Sequence, residues 1–203
     1  MFDDRQDAGR QLATTLDSYY HQKNTVVLAL PRGGVVVGVE VANVLKLPFD
    51  IVVTRKIGST YNPEFAIAAV GENVVFRNPN YPVFDESALQ QDIIREREEI
   101  QRRLKAYHQK HRPIIIKNKT VILVDDGLAT GLTMQAAIAE IYHAKAAKVI
   151  IAVPVAPPDT VKNIRHLVDK IVILEMPPDF AAVGQFYNSF PQVSDEEVIN
   201  LLD

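Results

Sequence analysis

The stretch VILVDDGLATGLTM, residues 121–134, opens as an unbroken apolar run, passes two adjacent carboxylates and a glycine-bounded loop, and ends where an amphipathic segment begins. An apolar run without alternation is the mark of a strand covered on both faces. The same cadence recurs along the chain: VVLAL (26–30) before 34–45, FDIVVT (49–54), TVILVD (120–125) before 131–143, KVIIAVPV (148–155) before 158–167, and KIVILE (170–175). Strands alternating with helices predict an α/β fold whose sheet is mainly parallel and flanked by helices.

The segments around these units have their own character. Residues 4–22 read as a helix, with Leu12, Leu16 and Tyr19 spaced by four and three. RKIGSTYNPE (55–64) has loop chemistry, and FAIAAVGENVVF (65–76) can supply one or two further strands. Residues 85–112 predict an inserted charged helix, in which Leu89, Ile93, Ile100, Leu104 and Tyr107 form a seam against charges of alternating sign. That seam serves packing on the domain or, as the other use of such a face, a homodimer contact. Near the end, SDEEVINLL carries a Ser N-cap with Glu197 three residues on, a capping box. A single domain over residues 1–203 is expected, with 175–203 as a candidate hood and C-terminal helix.

Composition narrows the partners. With 47% hydrophobic residues in 203, one substantial core can form. The net charge of -3 speaks against a sequence-independent nucleic-acid surface or an anionic-membrane surface, both of which concentrate Lys and Arg. No cysteine is present, so disulfides and thiolate metal sites are excluded, and a reducing, cytoplasmic setting is expected. The start, MFDDRQDAGR, lacks the apolar core of a signal peptide, and the window 26–45 holds Pro31, Arg32, paired glycines and Glu40, which rules it out as a membrane span. The five histidines show no metal-ligand spacing and no nucleophile partner.

Glycines mark three strand ends: Gly33, Gly34 and Gly38 after the first strand, Gly58 after the second, Gly127 and Gly131 after the central one. Ligands of open α/β sheets bind where strands end and helices begin, so these ends point to one shared crevice. The loop Gly127, Leu128, Ala129, Thr130, Gly131, followed by a helix and Thr133, offers backbone amides and hydroxyls to a phosphate. No Lys follows, and no GxGxxG occurs, so neither a nucleoside-triphosphatase loop nor a dinucleotide fingerprint is present. Asp125 and Asp126 require donors or a cation, because like charges about 4 Å apart repel by roughly 1 kcal/mol in water and about 4 at an effective dielectric of 20. Amides holding a phosphate beside carboxylates that accept from a vicinal diol describe a ribose 5-phosphate unit. The alternative use of the acids is structural, one capping the helix and the other pairing with a Lys.

At these residues the chain resembles the type I phosphoribosyltransferases, whose fingerprint is a hydrophobic strand, two acids, a short variable stretch and Thr-Gly. PRGG (31–34) is similar to the family's pyrophosphate-binding loop, and TRKIGSTYNPE (54–64) takes the place of its mobile catalytic loop. Through VPVAPPDTV and FAAVGQFYNSFPQVSDEEV the likeness extends over essentially the whole chain, toward a bacterial phosphoribosyltransferase-like group of unsettled substrate. The resemblance implies transfer of ribose 5-phosphate from phosphoribosyl diphosphate to a nitrogenous acceptor of nucleobase type, releasing pyrophosphate with Mg²⁺ assisting. It implies Asp125 and Asp126 as ribose and metal ligands, the latter through water, and Arg32, Gly33, Gly34, Arg55 and Lys56 as the pyrophosphate site, with Arg32 and Lys56 catalytic. A cis peptide near Arg32–Gly33 is a further expectation. The loop carries Ser59, Thr60, Tyr61, where 6-oxopurine enzymes have adjacent Ser-Tyr, and Ala129 stands where those enzymes have a third acid. Neither role is therefore transferred, and the acceptor stays open. Val183, Phe186 and Tyr187 in the hood are the candidate base pocket, with anchoring of the tail as the other use of these aromatics. A sensor of phosphoribosyl diphosphate or nucleotide without turnover is the alternative function, and an Asp-nucleophile hydrolase lacks the spacing it would need.

Overall fold

The computed structural model describes residues 1–59, 66–79, 81, 85–110 and 112–203. Five parallel strands form the main sheet in the order β2-β1-β6-β7-β8: β1 (Thr25–Ala29), β2 (Phe49–Ile51), β6 (Thr120–Val124), β7 (Lys148–Val155) and β8 (Lys170–Glu175). Alternate residues of each strand enter opposite cores. Val27, Ala29, Ile122 and Val124 join Leu12, Leu16, Val37 and Val41 of the first helices, whereas Val26, Leu28, Val121 and Leu123 join Met134, Ile138 and Ile141. Two covered faces favour apolar residues at every position, which is why the central strands read as nearly continuous apolar runs. Each fully buried Leu or Ile contributes about 1.5–3 kcal/mol relative to an exposed one.

Helix α2 (Gly33–Leu45) connects β1 to β2 in one direction along the sheet. Helices α4 (Leu132–His143) and α5 (Pro158–Ile164) connect β6, β7 and β8 in the other. Right-handed crossovers therefore put α2 and α4 on opposite faces, and the order reverses between β1 and β6. At such a switch point the loops after the two strands diverge and leave a crevice at their carboxyl ends. PRGG and the acid-bearing loop are those two loops.

The excursion between β2 and β6 departs from expectation in one respect. Arg55–Gly58 forms a strand, β3, paired antiparallel with β4 (Ala66–Val70), which pairs in turn with β5 (Val75–Arg77). Its Arg, Lys and Gly suggested a loop, but a short edge strand tolerates charge because one margin faces away from the ladder. Of the segment 54–64, expected as the mobile catalytic loop, residues 60–64 lie outside the described residues. Glu140, nearly buried on α4, braces the β4–β5 turn by accepting from the Asn73 amide at 2.9 Å and the Val74 amide at 3.2 Å.

Helix α3 (Glu86–Tyr107) begins at an Asp85 cap and buries Leu89, Ile93, Ile100 and Tyr107 in the main core, so the seam packs on its own domain. It stops short of residue 112 because Asp50 gathers the exit: its carboxylate meets His108 Nε2 at 2.8 Å and accepts from the Ile114 amide at 2.7 Å. Helix α1 (Arg5–Thr14) likewise ends early, where Thr14 and Thr15 donate their hydroxyls back to the carbonyls of Gln11 and Leu12. Helix α6 (Asp195–Leu202) opens on the predicted capping box, with Ser194 and Glu197 bonded reciprocally at 3.1 and 2.7 Å. Among the described residues no helix is long and apolar enough to cross a membrane.

Candidate functional site

The two loops at the switch point touch. The Leu30 amide donates to the Val124 carbonyl at 3.0 Å, and the chain then passes through a cis Pro31–Arg32 peptide, one bond before the expected position. Gly33 and Gly34 follow at the start of α2. A Cβ on Gly33 would collide with Asp126 Oδ2, and one on Gly34 would lie 2.8 Å from both the Asp125 Cα and its Oδ1. These glycines are thus the surface on which the acid pair rests.

The pair is unsymmetrical. Asp125 Oδ1 accepts from the Asp126 amide at 2.8 Å, while Asp126 Oδ2 accepts from Arg5 Nε at 2.7 Å. Arg5 is itself buried in α1, donates through Nη1 to the Pro191 carbonyl at 2.7 Å, and holds its guanidinium 3.6 Å from the Phe190 ring centre. Burial, followed by the charge of Asp126, pushes the Asp125 carboxyl well above its ordinary value. Burial also raises Asp126, with the Arg5 guanidinium pulling against it. Among the described residues Arg5 is the cation bonded to the pair, through Asp126, and burial biases the second carboxyl toward its neutral form. Arg5 was invisible to pattern reading, since one Arg on a polar N-terminal helix reads as a surface cation. The structural use of the acids is half realised, through this Arg and without helix capping.

Beyond the acids, the loop presents what an anion needs. Leu128 anchors it by donating to the Val155 carbonyl at 2.9 Å, and Ala129 and Thr130 are exposed. Gly131 takes φ +75°, a left-handed turn that favours glycine, and caps α4 without a side-chain acceptor. The first amides of α4 therefore face the loop without the usual Ser or Asp oxygen, a ready anion site. Thr133, in the first turn, accepts at its carbonyl from Thr54 Oγ1 at 3.2 Å, which ties the loop to the segment leading into β3.

The expected cations are placed differently from one another. Arg32, partly exposed at the start of α2, lies 3.7 Å from Asp195 Oδ1 on α6. Arg55 is held on α3 by Glu96, at 2.8 Å. Lys56 is exposed on β3 and, by strand alternation, projects opposite to Arg55.

The hood is built from both ends of the chain. Phe2 donates to the Phe186 carbonyl at 2.8 Å and pairs with Tyr187. Tyr187 is 6% exposed, flanked by Phe2 and Phe190 with centroid separations of 5.4 and 4.9 Å, and donates its hydroxyl to the Asp126 carbonyl at 2.6 Å. Its phenol, pushed far up by burial, is a strut under the acid loop, and its ring offers no open face. Phe186 stacks on Phe180 at 5.4 Å and is half-buried, and Val183 Cγ1 fills the space a Cβ on Gly127 would need, at 2.6 Å. Among the described residues no group of His, Cys, Asp and Glu forms a metal cluster.

Comparison with known proteins places the chain in a family. The phosphoribosyl transferase domain model covers residues 3–188. A Mycobacterium tuberculosis protein named provisionally as a phosphoribosyl transferase is 42% identical over 208 residues, spanning 100% of this chain and 46% of that protein. The chain thus spans about half the length of the curated relatives it matches. A crystal structure of a Thermus thermophilus protein superposes with TM-score 0.85 at 40% identity, covering 100% of this chain and 97% of that one. An Aquifex aeolicus structure shares the fold at TM-score 0.51 and 15% identity, over 84% and 73% of the two chains.

Proposed function

Because the chain belongs to the phosphoribosyl transferase domain family, we propose that it moves ribose 5-phosphate from phosphoribosyl diphosphate to a nucleobase-like acceptor, releasing pyrophosphate. One observation carries the reading: the Gly33–Gly34 backbone lies against Asp125 and Asp126, and both adjoin the uncapped amides of the Gly127–Gly131 loop. A sugar whose 5-phosphate sits on those amides has its vicinal hydroxyls at the carboxylates and its anomeric diphosphate over the PRGG loop.

Asp125, whose carboxyl is biased toward its neutral form by burial and by the charge of Asp126, can meet a ribose hydroxyl as donor or acceptor. Asp126, neutralised by Arg5, is the more rigid one. Displacement at the anomeric carbon builds positive charge on the sugar and negative charge on the diphosphate. Arg32 in the first loop and Lys56 on β3 supply cations for that leaving group, the first by exchanging its weak contact with Asp195 for a phosphoryl oxygen. The hard oxygens of Asp125 and Asp126 suit Mg²⁺ held through water, whose chemistry is neutralisation of the diphosphate charge. Half-buried Phe186, stacked on Phe180, offers an apolar face for a planar acceptor.

A second reading, a sensor that binds the activated sugar without turnover, draws on the pairing of Arg55 with Glu96 and Arg32 with Asp195. Purified protein given phosphoribosyl diphosphate, Mg²⁺ and a panel of bases separates the two. Pyrophosphate release with one base supports the transferase. Tight sugar binding with no release across the panel supports the sensor. Unchanged sugar affinity after Asp125→Asn with Asp126→Asn sinks both.

A further inference from the structure

A cavity of about 760 Å³ opens on the α4–α5 side of the phosphate loop, where β4 and β5 meet the two helices. Its polar lining is Lys162 and Asn163 on α5, His166 in the turn after it, Gln135 on α4, Asn78 after β5, and Thr130 of the loop itself. Phe76, Leu132 and Leu167 form the apolar wall. Among the described lining residues there is no carboxylate, although the chain as a whole carries a net charge of -3. Lys162 and His166 lie four residues apart across the junction of α5 with the turn that follows it, and both line the cavity. The volume is that of a small-molecule site, and the wall is apolar with a few convergent polar groups.

We propose that this cavity is a second ligand site, taking a phosphate monoester with a compact planar body, and that its occupancy is felt at the ribose-phosphate loop. The phosphate meets Lys162 and His166, the amides of Gln135 and Asn163 take its remaining oxygens, and the planar body lies on Phe76 and Leu132. Transmission is mechanical. Thr160, buried on α5, donates its hydroxyl to the Ala129 carbonyl at 2.6 Å, and its methyl lies 2.8 Å from where a Gly131 Cβ would be. Movement of α5 toward a ligand therefore displaces the loop at Ala129 and Gly131, on either side of Thr130. The coupling half of the proposal rests on reading that loop as the ribose-phosphate site, and the binding half does not.

Phenyl phosphate is the probe, because it carries the phosphate and the planar body but no diol for Asp125. Calorimetric titration of the full chain should show a site that weakens roughly tenfold in Lys162→Glu, as expected for loss of a charge-assisted contact, and is unchanged in Asp125→Asn. Saturating phenyl phosphate should alter the affinity for phosphoribosyl diphosphate, reciprocally, and Thr160→Val should abolish that effect while leaving phenyl phosphate binding intact. Complete displacement of the probe by phosphoribosyl diphosphate, with Lys162→Glu without effect, would place it in the phosphate loop and overturn the proposal. So would the absence of any binding at millimolar probe. If the probe binds at Lys162 but does not affect the sugar, the coupling half falls and the site stands. Pyrophosphate release enters neither readout, so failure of the transferase reading is seen separately.

Discussion

Replacing Arg5 by methionine removes the cation that faces the acid pair while keeping an apolar stem of similar length. The side chains of Arg5 and Asp126 are 9% and 15% exposed, so the surviving carboxylate is left buried without its partner, a change that costs about 3–5 kcal/mol in comparable buried pairs. The guanidinium also stacks on Phe190 and bonds to the Pro191 carbonyl, and loss of the stacking alone is worth about 0.5–2 kcal/mol. At roughly 2–4 °C per kcal/mol for a chain of this size, the two losses together should lower the melting temperature by about 7 to 28 °C. The assay is a double-mutant cycle in urea with Asp126→Asn. If the cost comes from an uncompensated carboxylate, the double variant should be less destabilised than the sum of the singles by about 2–3 kcal/mol. Strict additivity would refute this and assign Arg5 to the tail, through Phe190 and Pro191. Sugar affinity supplies a second measure: Arg5→Lys should retain most of it, since the charge stays near Asp126.

Three further outcomes are expected. Gly33→Ala drives a methyl into Asp126 Oδ2, so the acid must shift; sugar-phosphate affinity should drop about tenfold or more with a stability loss of about 1–3 kcal/mol, and intact affinity would show that Asp126 is idle. Tyr187→Phe removes the donor to the Asp126 carbonyl and leaves the ring packing, which predicts a loss of about 0.5–1.5 kcal/mol in chemical denaturation and no change in base selectivity; altered selectivity would make Tyr187 part of the acceptor pocket. Burial alone would raise Asp50, but bonds from His108 and the Ile114 and Ile51 amides outweigh it and hold the carboxyl below its ordinary value. A depressed carboxyl contributes stability above the unfolded pKa, near 3.9, and loses it as pH falls through the folded value. Asp50→Asn should therefore be destabilised at pH 7, and its gap to the parent should close as the pH is lowered below about 4. A gap that does not narrow at all through the acid range would mean that packing, and no charge, is responsible.

Much of this architecture is written in neighbours along the chain. The apolar runs at 26–30, 120–125 and 148–155 are strands because a doubly covered sheet has no use for alternation, and Ser194 with Glu197 is a cap because both groups lie within one turn. The glycines after both strands pointed to a shared crevice, and the pairing of β1 with β6, a tertiary fact, brings PRGG against the acid pair. Less legible was the 55–58 strand, whose pairing with residues 66–70 depends on where α4 and Glu140 hold the turn of the next hairpin.

What sequence alone determined is the set of local units: strands, their helices, the glycine turns, and two acids adjacent by covalent geometry at a strand end. What the tertiary structure decided is which long side chain answers which charge. Arg5 reaches Asp126 across 121 residues, Arg55 turns to Glu96 across 41, and Tyr187 becomes a strut under Asp126 rather than a surface for a base. Local pattern determines an element because its energy is set by spacing along the chain. A flexible cation on a polar helix has many partners of nearly equal energy in the open chain, and only burial, by making an unpaired charge intolerable, selects one.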